Sequence, residues 1–246
     1  MYSVGGLFES DKGHHSNLML KLPDVTLVAV SSVDLEATLL ALSLSSHEID
    51  FAEVKLLTSE FILPENSKIK VETIPRLDFW GYSKFIIQDL YQHIQTSHCL
   101  VVQADGFVLN PQKWQAHFLD YDYIGAPWPQ QLMLQPGNFL LNMEANQVGN
   151  GGFSLRSEKL LQETAKIDFD SLSLPSLSED LVICHFLLDQ MINAGIKFPR
   201  PELAAQFSVE SPNAAYGQTP HTSFGFHGKN LRDEIFASLS RGIQHP

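Results

Sequence analysis

Four stretches of this chain join chemically capable side chains to turns or element ends that would expose them. Gln103-Ala104-Asp105-Gly106 directly follows the apolar run Cys99-Leu100-Val101-Val102. That order places one carboxylate where a buried strand runs out, and in an open α/β sheet ligands bind at the carboxyl ends of strands. Gly106, lacking a side chain, lets a ligand or a loop approach closely. The same residues also fit a plainer reading, in which Asp105 caps the turn into Asn110-Pro111. Gly149-Asn150-Gly151-Gly152-Phe153-Ser154-Leu155-Arg156-Ser157 runs from a glycine cluster into an alternating strand and then a helix. Such a cluster lets backbone N–H groups face a bulky ligand. It lacks the Gly-Lys-Ser/Thr ending of a phosphate loop and the dinucleotide glycine spacing, and a tight hairpin turn is its structural alternative.

Ser178-Glu179-Asp180 opens a helix carrying Leu181, Cys184, Leu188, Met191 and Ile192. Acids in a first turn are favoured by the helix dipole, by about 0.3–1 kcal/mol each, and Ser176 with Glu179 matches a capping box. A carboxylate fixed there could also accept a proton from an attacking hydroxyl within hydrogen-bond reach. Phe224-Gly225-Phe226-His227-Gly228 holds an imidazole between glycines, which leaves its ring approachable. One imidazole together with carboxylate and phosphate oxygens is an acceptable set for a divalent cation. His14-His15 has no partner ligands at sensible spacing and is set aside.

These residues need a scaffold. Val25-Thr26-Leu27-Val28-Ala29-Val30 reads as a strand buried on both faces, followed by Ser31, Ser32 and Asp34 as start signals for a helix bearing Leu35, Leu39 and Leu42. Further strands are expected at residues 54–57, 68–73 and 99–102. A helix is expected from 83 to about 96, where Phe85, Ile86, Ile87, Leu90, Tyr91 and Ile94 recur on one side. Strands alternating with helices imply parallel pairing through right-handed crossovers, so the first hundred residues read as a Rossmann-like half. Residues 110–152 are rich in turns, and 139–147 read as a mobile loop. Helices follow at 157 to about 166, at 178 to about 194 where Gly195 closes the helix, and from near Asn230.

The totals narrow the classes. A chain of 246 residues with no Pro/Gly/Ser-rich linker is expected to form one domain, 1–246, with a nucleotide-binding half at about 24–110 and an acceptor or catalytic half at about 111–230. Its formal charge of −12 argues against nonspecific binding to nucleic acid or anionic membrane. Cys99 and Cys184 lie within apolar runs and read as buried free thiols, which suits a reducing compartment. Residues 1–22 lack the pattern of a signal peptide, and no run approaches the ~20 apolar residues that span a bilayer. A cytoplasmic location without a transmembrane segment is the expectation.

Taken in order, the phrases Gln103 to Pro111, Tyr121-Asp122-Tyr123-Ile124-Gly125-Ala126-Pro127-Trp128, Gly149 to Ser157 and Phe224 to Gly228 resemble the GT-A glycosyltransferases. In wording they are closest to a poorly characterised bacterial family of glycosyltransferase-like domains. The resemblance implies a GT-A-like α/β fold, with a mostly parallel central sheet, helices on both faces and an irregular acceptor-side half. It implies a divalent cation, Mn2+ or Mg2+, bound at a short acidic motif; Gln103 replaces the first acid of that motif and Asp105 keeps the last. It maps a further metal ligand onto His227, the donor-side glycine loop onto Gly151 and Gly152, and an acidic pair onto Glu179 and Asp180, with Asp180 as the base of an inverting reaction. Nucleotide recognition falls to Ser31 and Ser32 at the exit of the first strand, with Tyr82 and Lys84. Among the tryptophans Trp80, Trp114 and Trp128, Trp128 in its Pro-Trp-Pro turn is the candidate to stack on a sugar or base.

The function so implied is metal-dependent transfer of a sugar from a nucleotide-sugar donor to a carbohydrate or other hydroxyl acceptor, in assembly of a bacterial surface polysaccharide. A sugar nucleotidyltransferase would need a basic, glycine-rich loop after the first strand, and Ser31-Ser32-Val33-Asp34 has neither glycine nor basic residue. The alternative ranked ahead of that one is a non-catalytic module that binds a nucleotide sugar or carbohydrate, an account compatible with Gln103 in place of the first acid.

Overall fold

The computed structural model describes residues 19–60, 63, 67–135, 137–211 and 216–242; His14-His15 lies outside them. The chain opens with β1 (Leu20–Val30), α1 (Leu35–Ser45), β2 (Ile49–Thr58) and β3 (Lys70–Thr73), then α2 (Phe79–Gln88), β4 (His98–Val102) and the short β5 (Gly106–Val108). The middle holds β6 (Tyr123–Ile124), β7 (Gln131–Leu134) and β8 (Phe139–Asn142) before β9 (Phe153–Ser157) and α3 (Glu158–Thr164). The last third holds α4 (Glu179–Leu181), α5 (Leu188–Asn193), α6 (Pro201–Phe207), β10 (Ser208–Val209), β11 (Gly225–His227) and α7 (Lys229–Gly242).

The main sheet has the order β3-β2-β1-β4-β9-β6. Its first four strands are parallel, while β9 runs antiparallel to β4 and to β6. Alternate residues of β1 feed two separate clusters: Leu27 and Ala29 pack with Leu42, Leu181, Met191 and Phe207, whereas Val28 and Val30 pack with Phe85, Ile86, Leu90 and Leu161. Helices therefore cover both faces, which is why residues 25–30 are a continuous apolar run rather than an alternating one. The α/β class, the mostly parallel sheet and the irregular second half are as the sequence indicates.

Four expectations need correction. The helix expected over 83–96 starts at Phe79, because the Asp78 side chain accepts from Gly81 N at 2.7 Å, and it gives way at Asp89 to a 3-10 turn over Leu90–His93. Residues 139–147 begin as a strand, not a loop: β7 and β8 form an antiparallel hairpin whose turn places Gly137 at φ 115° and Asn138 at φ 52°, conformations that hairpin turns favour. The helix expected over 178–194 is interrupted by a π-helical turn, Val182–Phe186, where the Asn146 side chain donates to Cys184 O at 3.0 Å and Leu187 N reaches back to Val182 O. An outside amide thus takes a carbonyl of the helical ladder where the ladder is irregular. The capping box does not form, since Glu179 turns inward to Arg156 and the Ser176 hydroxyl accepts from Ser178 N rather than from Glu179 N. Gly195, at φ 75°, ends α5 as expected.

Candidate active site at the sheet's switch point

From β1 the chain works outward through β2 and β3, then returns to place β4 on the opposite side of β1. Ligand crevices open where strand order reverses in this way, and a crevice of about 480 Å3 lies there, lined from Val30 and Ser31 beyond β1 and from Gln103, Ala104 and Asp105 beyond β4. Because β9 is antiparallel, its beginning adjoins the end of β4, with Val102 opposite Phe153, and that brings Gly151 and Gly152 into the same wall.

His227 arrives through a second sheet, in which β11 pairs antiparallel with β5 and His227 lies opposite Gly106. The imidazole is bridged: Nδ1 donates to Glu210 Oε1 at 3.0 Å, while Nε2 lies 3.2 Å from Asp105 Oδ1 and 3.1 Å from Gln103 Oε1. Burial alone would lower the imidazole pKa, but the hydrogen bonds to Asp105 and Glu210 override it and push the group up to about 10. The same hydrogen bond from His227 holds the Asp105 carboxyl below its ordinary value. Gln103 is fixed from its other end, since its amide donates to Tyr82 Oη at 2.8 Å. Among the described residues no group of three or more His, Cys, Asp or Glu side chains has metal-holding geometry. A cation here would replace the proton on His227 Nε2 and take that nitrogen with Asp105 Oδ1 and the Gln103 amide oxygen from the protein, with phosphate and water oxygens completing its shell. That donor set fits Mn2+ or Mg2+, whose protein ligands are commonly few.

Glu179 and Asp180 do different things. Asp180 lines the crevice; its Oδ2 accepts from Gly151 N at 3.1 Å and its Oδ1 from its neighbour Leu181 N at 2.8 Å. Burial raises its pKa, and the backbone N–H donors oppose that. Glu179 is no second base: its Oε1 accepts from Arg156 Nη2 at 2.8 Å in a fully buried ion pair. Burial raises the Glu179 carboxyl, to about 7, against the guanidinium beside it. Arg156 is further held by Nε donation to Ser154 Oγ at 3.0 Å and packs over the Tyr123 ring at 5.2 Å. Ser154 in turn donates to Gly151 O at 2.8 Å, so the buried pair underpins the glycine turn.

Protein neighbours by themselves require these glycines. A methyl group at Gly151 would lie 2.1 Å from Glu179 Oε1, one at Gly152 2.1 Å from His227 Nε2, and one at Gly106 2.7 Å from Phe226 O. Each missing side chain makes room for a neighbouring group of the site or of its supporting sheet.

The remaining candidates divide. Ser31, Ser32 and Tyr82 all line the crevice, the Ser31 hydroxyl donating to Val33 O and Ser32 Oγ accepting from Leu77 N at 3.1 Å. Lys84 does not. It lies two residues beyond Tyr82 on α2, roughly 200° around the helix, and pairs with Asp170 outside the crevice. Trp128 is buried, donates its indole N–H to Asn150 Oδ1 at 2.7 Å and covers Gly149, so packing takes its ring. Trp114 packs edge-on against Phe118 and Phe224. Asp105 serves no cap on the Asn110-Pro111 turn; Asn110 N bonds to Phe224 O instead.

Sequence reasoning missed Glu210, Asn150 and the mouth of the crevice. Val33 and Phe79 are 67% and 65% exposed there, an apolar display flanked by Asp34, which takes a left-handed conformation at φ 47°. The exposed Phe79-Trp80 opening of α2 was the available signal. A second hollow of about 570 Å3 adjoins the crevice, and Asn150, Ser178, Asp180 and Glu210 line both.

Residues 68–227 match the model of a family described as "Protein of unknown function (DUF5672)", a span that includes Asp105, Asp180 and His227. A search of curated proteins finds no match. Among solved structures the chain is similar to a galactosyltransferase, LgtC, in complex with donor and acceptor sugar analogs, at 11% identity over 90% of this chain and 97% of that one, with a TM-score of 0.46. It is similar to a glycosyltransferase involved in glycosylation of the major capsid of PBCV-1, at 12% identity over 88% and 98%, with a TM-score of 0.45. A third is the apo form of the glycosyltransferase GlyE of Streptococcus pneumoniae, at 10% identity over 88% and 60%, with a TM-score of 0.48.

Proposed function

We propose that this chain, which belongs to the DUF5672 family, transfers a sugar from a nucleotide-sugar donor to an acceptor hydroxyl, with a divalent cation, Mn2+ or Mg2+, held by Asp105, His227 and Gln103. The observation that supports this most is the charge of the crevice. Asp34, Asp78, Asp105, Glu179, Asp180 and Glu210 line it, and among its described lining residues there is no Lys or Arg. Arg156 already answers Glu179, and His227 already answers Asp105 and Glu210. A diphosphate entering this space meets repulsion unless a cation stands between it and the carboxylates. When bound, the cation supplies Lewis-acid stabilisation of the charge that grows on the leaving diphosphate.

The chain's own residues do the rest. Ser31 and Ser32 bound the nucleotide side, and the exposed faces of Val33 and Phe79 offer an apolar surface to base or ribose. Asp180 stands where the crevice meets the second hollow, which would admit the acceptor. Its raised pKa suits a general base, and the N–H groups of Gly151 and Leu181 fix its carboxylate. A base on the acceptor side implies inversion at the anomeric carbon. Surface-polysaccharide assembly is the setting proposed.

The test is hydrolysis of a panel of nucleotide sugars by the purified chain, with Mn2+, with Mg2+ and with chelator. Turnover of at least one donor that chelator abolishes is expected. Binding without turnover would favour the non-catalytic module, and neither binding nor turnover with any donor would overturn the reading.

A further inference from the structure

We propose that the β7–β8 hairpin contacts a lipid surface and seats the second hollow of the site against it, so that the acceptor hydroxyl is one carried on a lipid. The acceptor part rests on the transfer reading above, whereas the lipid contact stands on the hairpin itself. Residues 127–143 contain no charged side chain, in a chain in which 18% of residues are charged. In the hairpin Leu132 is opposite Leu141 and Met133 is opposite Leu140. Leu132, Leu134 and Leu141 pack against the main core. The outward pair is then Met133 and Leu140, 49% and 56% exposed; Phe139, opposite Leu134 beside the turn, is on the other face of the hairpin and is still 53% exposed. An antiparallel pair packed on one face ordinarily presents polar side chains on the other, and here the outward centre is apolar.

The amide side chains Gln131 and Asn142 at one end and Gln135 and Asn138 at the turn frame this surface with polarity but no charge, and Gln135 and Asn138 bond to each other at 2.8 Å. That composition has no charge to desolvate on entering the boundary between headgroups and acyl chains. A second copy of the chain is a poorer occupant. Two strands of four residues offer far less than the roughly 800 Å2 per partner that a specific protein interface buries. The hairpin is also continuous with the site, because Trp128, Pro129 and Leu132 line the second hollow opposite Asp180 and Glu210. Shallow insertion of the hairpin's turn end, with Met133 and Leu140 on one face and Phe139 on the other, brings that hollow beside the headgroup layer. The formal charge of −12 makes a zwitterionic surface the favoured one, with binding that high salt does not release.

The experiment is flotation of the full chain with phosphatidylcholine vesicles at low and high salt, beside a Met133→Ser/Phe139→Ser/Leu140→Ser variant. The wild type is expected to float at both salt concentrations, and the variant's bound fraction to fall about fivefold or more, with its binding of nucleoside diphosphate and Mn2+ unchanged. Should the triple variant not fold, Phe139→Trp alone reports through a blue shift on vesicle addition. Absence of flotation, equal flotation of the two proteins, an unshifted emission from the indole introduced by Phe139→Trp, or a dimer that the triple variant dissolves would overturn the proposal. Flotation needs no turnover, so a failed sugar-transfer assay and a failed lipid contact are separately visible.

Discussion

Nε2 of His227 lies 3.2 Å from Oδ1 of Asp105, although one follows the central strand β4 and the other comes from the last strand of the described chain. The β5–β11 pairing enforces this, and Gly228 N adds a hydrogen bond to Asp105 O at 3.0 Å. Glu210 on Nδ1 fixes the ring so that Nε2 faces the crevice, a common supporting arrangement for a ligating histidine. Asp105→Asn and His227→Ala are each expected to weaken Mn2+-dependent binding of nucleoside diphosphate by about 10–100-fold; each also breaks the bridged imidazole network, so the folded chain should melt at a lower temperature. Isothermal titration with and without Mn2+ checks this, and unaltered curves for either variant would remove that residue from the cation's shell.

Asp180→Asn is expected to lower kcat by about 10²–10⁴-fold with little change in KM for the donor. The amide oxygen of Asn can still accept from Gly151 N, so the glycine turn should persist and the loss should be chemical. The pH dependence carries a sign. Burial raises the Asp180 pKa, the carboxylate is the active form, and activity is therefore lost as pH falls through that raised value. The acid limb of kcat should lie above the ordinary Asp range near 3.9 and vanish in the Asn variant. An acid limb at the ordinary value would mean that Asp180 is solvated and does not act as the base.

What the sequence made legible follows from where each signal lives. Asp105 was readable because an apolar run ends immediately before it, and His227 because glycine stands close on either side. Both are features of neighbouring residues. Lys84 was misplaced because its proximity to Tyr82 in sequence becomes the opposite side of α2 in space. Glu179 looked like a second catalytic acid because its partner, Arg156, reads as the polar side of an alternating strand. In the fold β9 is buried along its whole length, and that polar side forms the floor beneath the glycine turn. Trp128 and the hairpin of 131–142 lay in a stretch where turn residues outnumber periodic ones. Their placement depends on Gly149, Asn150 and the core, which no local pattern records.

The Arg156–Glu179 pair tests that floor directly. With side chains only 1% and 5% exposed, removing one partner strands a charge in the interior. Arg156→Met should destabilise the chain by about 3–5 kcal/mol, and Arg156→Met/Glu179→Leu should recover much of that loss. Urea denaturation of the two variants measures it. A single variant as stable as the wild type would show that Glu179 is protonated in the fold and needs no counter-charge.

Gly152→Ala separates a glycine required by the site from one required by the turn. The added methyl would lie 2.1 Å from His227 Nε2, against a ring held at both nitrogens, whereas the backbone at Gly152 has none of the positive φ that would strain an alanine. Overpacking of this kind costs typically about 1–3 kcal/mol, and the ring is the group that must move. Cation-dependent nucleotide binding should therefore fall as far as in His227→Ala while the fold survives. Lys84→Ala is the matching control: its ion pair with Asp170 is largely solvent-exposed and worth little, so nucleotide affinity should stay within about twofold. A Gly152→Ala chain that binds nucleotide and Mn2+ like the wild type would mean that His227 can yield its position without consequence, and with it the case for His227 as a ligand.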